Sequence, residues 1–291
     1  MKSHAVPRIE RQVLVDGGTH FTVRRQMKSS RKIVHHPISE FEVDAFDARY
    51  LPVRASSNYR GRKNKIGHLW MSKTRRLVAY ESTLERTVLL DLDRDQSVKR
   101  LWSQPFRVEG IDPERRGRCV RPTPDLLVER TDGSLCVVEV KPQRRLTEPA
   151  LDWFGGDVAA YTKSCERWSR LHEGFAFQQT VFDSLGWEFA VRSELSQERR
   201  ANLEYLALYR RDLHERDSLA EQVMEAASYG PARIVDLAES VDGGFVSAMP
   251  VILHLVWRHL LEVDLDVKLS ADTTVYDPAA SAESSPLLAV A

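Results

Sequence analysis

Cysteine is scarce in this chain: three in 291 residues, Cys119, Cys136 and Cys165, with no C-x-x-C pair. An odd count without paired spacing excludes a disulfide framework and a structural zinc site, and it points to a reducing compartment, read here as the cytoplasm. No G-x-G-x-x-G, P-loop or G-x-S-x-G run occurs, so dinucleotide, Walker-type nucleotide and serine-hydrolase sites lose their usual signatures. Residues 1–12 lack the continuous apolar stretch of a secretory signal. The most apolar run, 249–263, is interrupted by His254, Arg258, His259 and Glu262 and is too short to cross a hydrocarbon core, so no membrane partner is expected. Net charge is lacking too, since 42 Lys plus Arg balance 42 Asp plus Glu.

The balance is a sum of two unlike parts. Residues 1–80 hold 17 basic and 6 acidic side chains, whereas residues 81–291 hold 25 and 36. A basic N-terminal arm is therefore expected over 1–65, with little regular structure. Its cluster Arg60-Gly61-Arg62-Lys63-Asn64-Lys65, together with Arg75 and Arg76 beyond the aromatic strand Gly67 to Met71, is a candidate contact for the phosphates of double-stranded DNA, because crowded cations are stabilised by a polyanion.

From residue 66 to 213 the pattern is that of an α/β domain. Leu84, Val88 and Leu92 mark a helix over 81–95, preceded by Ser82, and 101–108 reads as a strand. Two further strands, 125–129 and 135–141, flank Arg130-Thr131-Asp132-Gly133-Ser134 as a hairpin. A helix over 153–172, a strand over 187–192 and a helix over 197–213 complete the order. After residue 214 the composition is acidic. Helices over 234–241 and 247–261, then a strand over 263–269, suggest a winged-helix-like α+β module over 214–276, and a disordered tail is expected over 277–291.

The hairpin carries the chemistry. A three-residue loop wants a left-handed third residue, and Gly133 supplies it, so Arg130 pairs with Ser134 and Asp125 falls opposite Glu139. A two-residue Asp132-Gly133 loop would instead pair 125 with 140 and turn Asp125 away. In the first register Asp125, Glu139 and Lys141 share one face. Two opposed carboxylates repel, and a hard divalent cation removes the conflict. Mg²⁺, for which Mn²⁺ is expected to substitute, takes one or two carboxylates, a backbone carbonyl (here Val140) and waters. It can polarise a phosphoryl oxygen and activate a water, with Lys141 orienting that water or stabilising charge. Glu85 is the candidate third carboxylate and Glu81 its competitor, although Ser82-Thr83-Leu84-Glu85 also fits a capping box.

Ser82-x-Leu84-Glu85, Gln104-Pro105, Thr123-Pro124-Asp125-Leu126-Leu127-Val128 and Val138-Glu139-Val140-Lys141-Pro142, in that order, resemble the TnsA-type endonuclease subunit of heteromeric transposases, a branch of the restriction-endonuclease-like nucleases. Gly186-Trp187-Glu188-Phe189 and Asn202-Leu203-x-x-Leu206 extend the similarity. The resemblance implies a restriction-endonuclease-like core, a mixed sheet flanked by helices. It implies that Glu85, Asp125 and Glu139 hold the metal and that Lys141 is catalytic. The family also accepts glutamine at the Glu139 position. Cleavage at the 5′ ends of a mobile element is implied, beside an integrase-type transposase subunit and an ATPase regulator of transposition. The alternatives are a stand-alone restriction or repair endonuclease and a non-catalytic DNA-binding assembly protein. The acidic, strongly apolar C-terminal module is expected to dock a protein partner.

Overall fold

The computed structural model describes residues 20–27, 30–37, 40–47, 52, 64–112, 118–120, 122–211 and 217–283. In chain order the elements are β1 (His20–Met27), β2 (Ser30–Pro37), α1 (Val43–Asp47), β3 (Gly67–Met71), β4 (Arg76–Tyr80), α2 (Thr83–Arg94), β5 (Val98–Ser103), β6 (Arg107–Asp112), β7 (Arg118–Val120), β8 (Leu126–Arg130) and β9 (Leu135–Val140). There follow α3 (Gln143–Leu146), α4 (Val158–Asp183), β10 (Glu188–Arg192), α5 (Gln197–Leu206), α6 (Asp217–Ser228), β11 (Ala232–Arg233), α7 (Ile234–Glu239), α8 (Gly244–Trp257), β12 (Thr274–Val275) and α9 (Pro278–Glu283).

The sheet that matters for function has the order β10-β9-β8-β5, with β9 and β10 parallel and the remaining pairs antiparallel. Both its faces are buried. Leu126, Val128, Val138 and Val140 pack with Val88, Leu89 and Leu92 of α2 and with Leu203 of α5. The alternate residues Leu127 and Val137 pack with Trp102, Phe106 and Phe182. This mixed sheet flanked by helices is the α/β architecture expected.

Several elements differ from expectation. The strand expected over 101–108 is two strands in different sheets. Pro105 cannot donate to a ladder, and Gln104 turns the chain at a left-handed φ of 46°. The helix expected at 153 begins at Val158, after Gly155 and Gly156 adopt φ of 58° and 87°, and it runs on to Asp183. The basic arm is not wholly irregular. β1 and β2 form an antiparallel hairpin whose β1 also pairs with β6, from His20 opposite Glu109 to Thr22 opposite Arg107. The basic pairs Arg24-Arg25 and Arg31-Lys32 had masked its strand pattern. Residues 1–19 and 53–63 lie outside the described residues.

The strand expected over 263–269 is absent. Its backbone finds partners elsewhere: buried Asn202 donates to Leu265 O (2.8 Å) and Val267 O (2.7 Å) and accepts from Leu269 N (3.0 Å). One amide side chain thus satisfies three main-chain groups that a ladder would otherwise take. The extra helix α6 precedes α7 and α8, and the short β11–β12 ladder with a Glu262–Tyr276 bridge closes the C-terminal part. Residues 278–283, placed in the tail from sequence, are helical, and 284–291 lie outside the described residues.

Packing does not break at 213/214. The core cluster that holds Leu126 and Leu203 continues into Val223, Ile252, Val256 and Val275. Arg94, at the end of α2 and 8% exposed, donates to Val256 O (3.0 Å) and Glu262 Oε2 (3.1 Å). Of the apolar residues attributed from sequence to a docking face, Ile252, Leu253, Leu255, Val256, Trp257 and Leu261 are buried here, whereas Leu260 is exposed. Among the described residues, no helix is long and apolar enough to cross a membrane.

Candidate active site

The site begins with the hairpin. Arg130 N donates to Ser134 O (2.9 Å), Gly133 sits at φ 87°, and Leu126 pairs with Val138. The loop is therefore the three-residue one, and the register that pairs 130 with 134 carries on to set Asp125 opposite Glu139. Asp125 stands just before β8, where two contacts fix it. Its carbonyl accepts from Gln104 N (2.8 Å), and its Oδ2 accepts from Val140 N (2.8 Å). Gln104 was legible only as part of the family resemblance; its left-handed turn is what delivers the hydrogen bond to Asp125.

Lys141 joins the two carboxylates. Its Nζ lies 2.6 Å from Asp125 Oδ2 and 2.5 Å from Glu139 Oε2. The main chain is held as well, since Lys141 N donates to Arg192 O of β10 (2.9 Å). Glu139 is nearly buried, at 5% exposure. Burial, with the Asp125 charge behind it, pushes its carboxyl up to about 7 against the opposing pull of Lys141. For Lys141, burial favours the neutral amine, but Glu139 and Asp125 outweigh it and the ammonium is held above its usual range. A carboxylate pair facing one ammonium in a low-dielectric setting is a place built for positive charge.

Glu85 is differently placed. It completes the capping box: Ser82 Oγ accepts from Glu85 N (3.1 Å), while Glu85 accepts from Glu81 N (2.7 Å) and from the Ser82 hydroxyl (3.1 Å). Along their strands Asp125 and Glu139 alternate with Leu126 and Val138, the residues that pack with α2. Glu85 is close enough to feel Asp125, since burial and, further down, the Asp125 charge raise its carboxyl. Among the described residues, no group of three or more His, Cys, Asp or Glu is arranged to hold a metal ion. Asp125 and Glu139 nevertheless fit a hard divalent cation, being opposed oxygen donors already charge-compensated by an ammonium. Glu85 would join them only by releasing the Glu81 N–H and the Ser82 hydroxyl.

The other sequence candidates are spread out. Val140, the candidate carbonyl ligand, is buried in β9. Arg60, Arg62 and Lys63 lie outside the described residues, and Lys65 is exposed. Arg75 is exposed in the β3–β4 turn at φ 49°, and Arg76 makes a two-pronged ion pair with Asp47 (2.9 and 3.1 Å). Cys136 is a buried thiol, pushed up to about 11 by that burial, which suits packing and not nucleophilic chemistry.

No curated protein matches the chain. Residues 95–194, which span β5 to β10 and include Asp125, Glu139 and Lys141, match the family model described as TnsA-like endonuclease N terminal. The chain thus carries a TnsA-type endonuclease domain over residues 95–194.

Proposed function

We propose that this protein is the endonuclease subunit of a transposition system, hydrolysing phosphodiesters of double-stranded DNA at the 5′ ends of a mobile element. The observation that carries the reading is the Asp125–Glu139–Lys141 cluster inside the matched domain. Asp125 and Glu139 would hold Mg²⁺ or Mn²⁺, with the Val140 carbonyl and Glu85 as further ligands, and the cation would supply Lewis-acid stabilisation and a more acidic water. The residues of the chain do the positioning. Gln104 N and Val140 N fix Asp125 through its carbonyl and its carboxylate, so that the side chain reaches across to β9. Lys141, pinned through its own N–H to β10, can shift its ammonium from the carboxylates to charge that builds on a scissile phosphate.

An integrase-type transposase subunit and an ATPase regulator are the proposed protein partners. The C-terminal part, α6 to α8 with β11 and β12, is proposed to be winged-helix-like. Residues 213–291 carry 4 basic and 13 acidic side chains, a composition that favours a protein partner over bulk phosphate. The test is cleavage of a labelled duplex bearing the element end, with the full chain and the transposase subunit, in Mg²⁺ and in chelator. Metal-dependent breaks confined to the 5′ ends are expected. Breaks at the 3′ ends from this subunit, or breaks unaffected by chelation, would overturn the reading.

A further inference from the structure

A second cationic feature lies at the other end of α2 from Glu85. A cavity of ≈ 270 Å³ opens between the β3–β4 turn, the end of α2, the segment after α5 and the end of α8. Lys73, Arg75, Arg210 and Arg258 line it beside the Trp70 indole, and Asp93 is the one carboxylate in its wall. That carboxylate is already used: it accepts from Ser72 N, the Ser72 hydroxyl and Lys73 N at 3.0 to 3.1 Å, which shapes the turn.

Helix C-termini attract cations, so the basic lining has to be weighed against that simpler cause. The two helix ends here are already served. Arg94 donates to Val256 O near the end of α8, and the His259 ring meets Arg94 O at the end of α2 (2.9 Å). The other basic side chains of the lining are Lys73, Arg75, Arg210 and Arg258, and Arg210 also donates to Ala207 O. They also crowd one another: burial, and after Asp93 and Asp95 also Arg258, act on Lys73, which is held below its usual range. Arg210 is lowered in the same way, by burial first and then by Arg211 and Arg86 against Asp93. Buried Arg94 keeps its Nε without an acceptor among the described residues. Arg210 and Arg211 lie 5.7 and 5.6 Å from the Trp70 ring centroid, which orders both guanidinium groups without neutralising them.

The turn adds an independent sign. Arg75 occupies a left-handed backbone conformation, φ 49°, where glycine would be cheaper, so its side chain is kept at a position the backbone disfavours. Several fixed guanidinium groups and an ammonium converging on one small cavity suit the three acceptor oxygens of a phosphate. From Glu85 to Arg94 the helix advances about 13 Å, which is roughly four base-pair steps of B-form DNA.

We infer that this cavity is a phosphate-binding site, and that on the endonuclease reading above it grips the backbone of the DNA being cut, a few base pairs from Asp125 and Glu139. A phosphorylated small molecule would use the same chemistry, and the experiment separates the two sources. Affinity of the full chain for a labelled 20-base-pair duplex is read by fluorescence anisotropy in chelator against salt, so that cleavage plays no part. Melting temperature is read with and without pyrophosphate. Lys73→Gln/Arg75→Gln is expected to weaken duplex binding about tenfold and to flatten the slope of log K against log salt by about 1.8, two contacts at about 0.9 each. Lys73→Arg/Arg75→Lys should retain both. Arg75→Gly relieves the backbone and should leave the melting temperature unchanged or higher while still losing affinity, which a merely structural arginine would not do. Unchanged duplex binding with a pyrophosphate-induced stabilisation that Lys73→Gln/Arg75→Gln abolishes would keep the phosphate site and assign it to a small molecule. Unchanged duplex binding and no such stabilisation would overturn the site. Failure of cleavage in Mg²⁺ leaves these binding results standing, so the two readings fail separately.

Discussion

Replacing Lys141 with methionine keeps the length of the side chain and removes the one ammonium that lies between Asp125 and Glu139. The two carboxylates are then opposed in a site where Glu139 is 5% exposed. Removing one partner of a buried ion pair costs about 3–5 kcal/mol, because the remaining charge stays desolvated and unanswered. At about 2–4 °C per kcal/mol for a domain of this size, the melting temperature should fall by on the order of 10 °C at pH 8. The sign of the pH dependence follows from Glu139, whose carboxyl already sits at about 7 through burial and Asp125. Without Lys141 it rises further. A folded-state value above the unfolded one means that stability is retained at low pH, where a proton replaces the ammonium, and is lost as pH rises through the folded value. The deficit of the variant should therefore be small at pH 5 and large at pH 8. Millimolar Mg²⁺ should restore more stability to the variant than it adds to the wild type, since a cation then answers both carboxylates. Differential scanning calorimetry at the two pH values, with and without Mg²⁺, reads all of this. Equal deficits at pH 5 and pH 8, or none at either, would refute the reasoning.

Mg²⁺ affinity of the wild type should rise about tenfold per pH unit up to about pH 7 and level off above it, because the cation competes with the Glu139 proton; calorimetric titration between pH 5.5 and 8 checks this. Asn202→Leu strands the Leu265 and Val267 carbonyls and the Leu269 N–H and should destabilise by about 2–4 kcal/mol, read by urea unfolding. Removal of residues 214–291 strips Arg94 of Val256 and Glu262 and uncovers Leu203 and Leu206, so the truncated chain should lose its cooperative melting transition rather than survive as a nuclease domain. Neutralising Arg60, Arg62, Lys63 and Lys65 should lower affinity for any duplex with little change in sequence preference, flattening the salt slope by up to about 3.6 if all four contact phosphate.

What the sequence made legible was what depends on neighbours close along the chain. Gly133 dictated the three-residue loop, the loop dictated the 125–139 pairing, and Ser82 with Glu85 spelled the capping box. Long-range partners were not legible. Nothing local says that Asn202 will serve the backbone near Leu265, so alternation of Val263, Leu265 and Val267 read as a strand. Nor does α8 disclose that Val251, Ile252, Leu255 and Val256 will pack in one core with the sheet residues Leu126 and Val138. Glu85 shows the limit most clearly. Its helix was placed to within two residues, yet that its carboxylate is taken up by the Glu81 N–H and the Ser82 hydroxyl is a property of the folded helix end. The basic cavity escaped, since Lys73, Arg210 and Arg258 come from three distant segments.

The most direct test compares nicking of a supercoiled plasmid bearing the element ends by the full-length wild type and by Asp125→Asn, each with the transposase subunit, in Mn²⁺, with duplex affinity measured for both. Asparagine keeps an oxygen for Val140 N and removes the charge that would hold the cation. Expected is metal-dependent nicking by the wild type, abolished by chelator and at least about a hundredfold slower in Asp125→Asn at unchanged affinity. Nicking by Asp125→Asn near the wild-type rate, nicking that persists in chelator, or a wild type that leaves the plasmid intact would contradict a metal-dependent site at Asp125, Glu139 and Lys141.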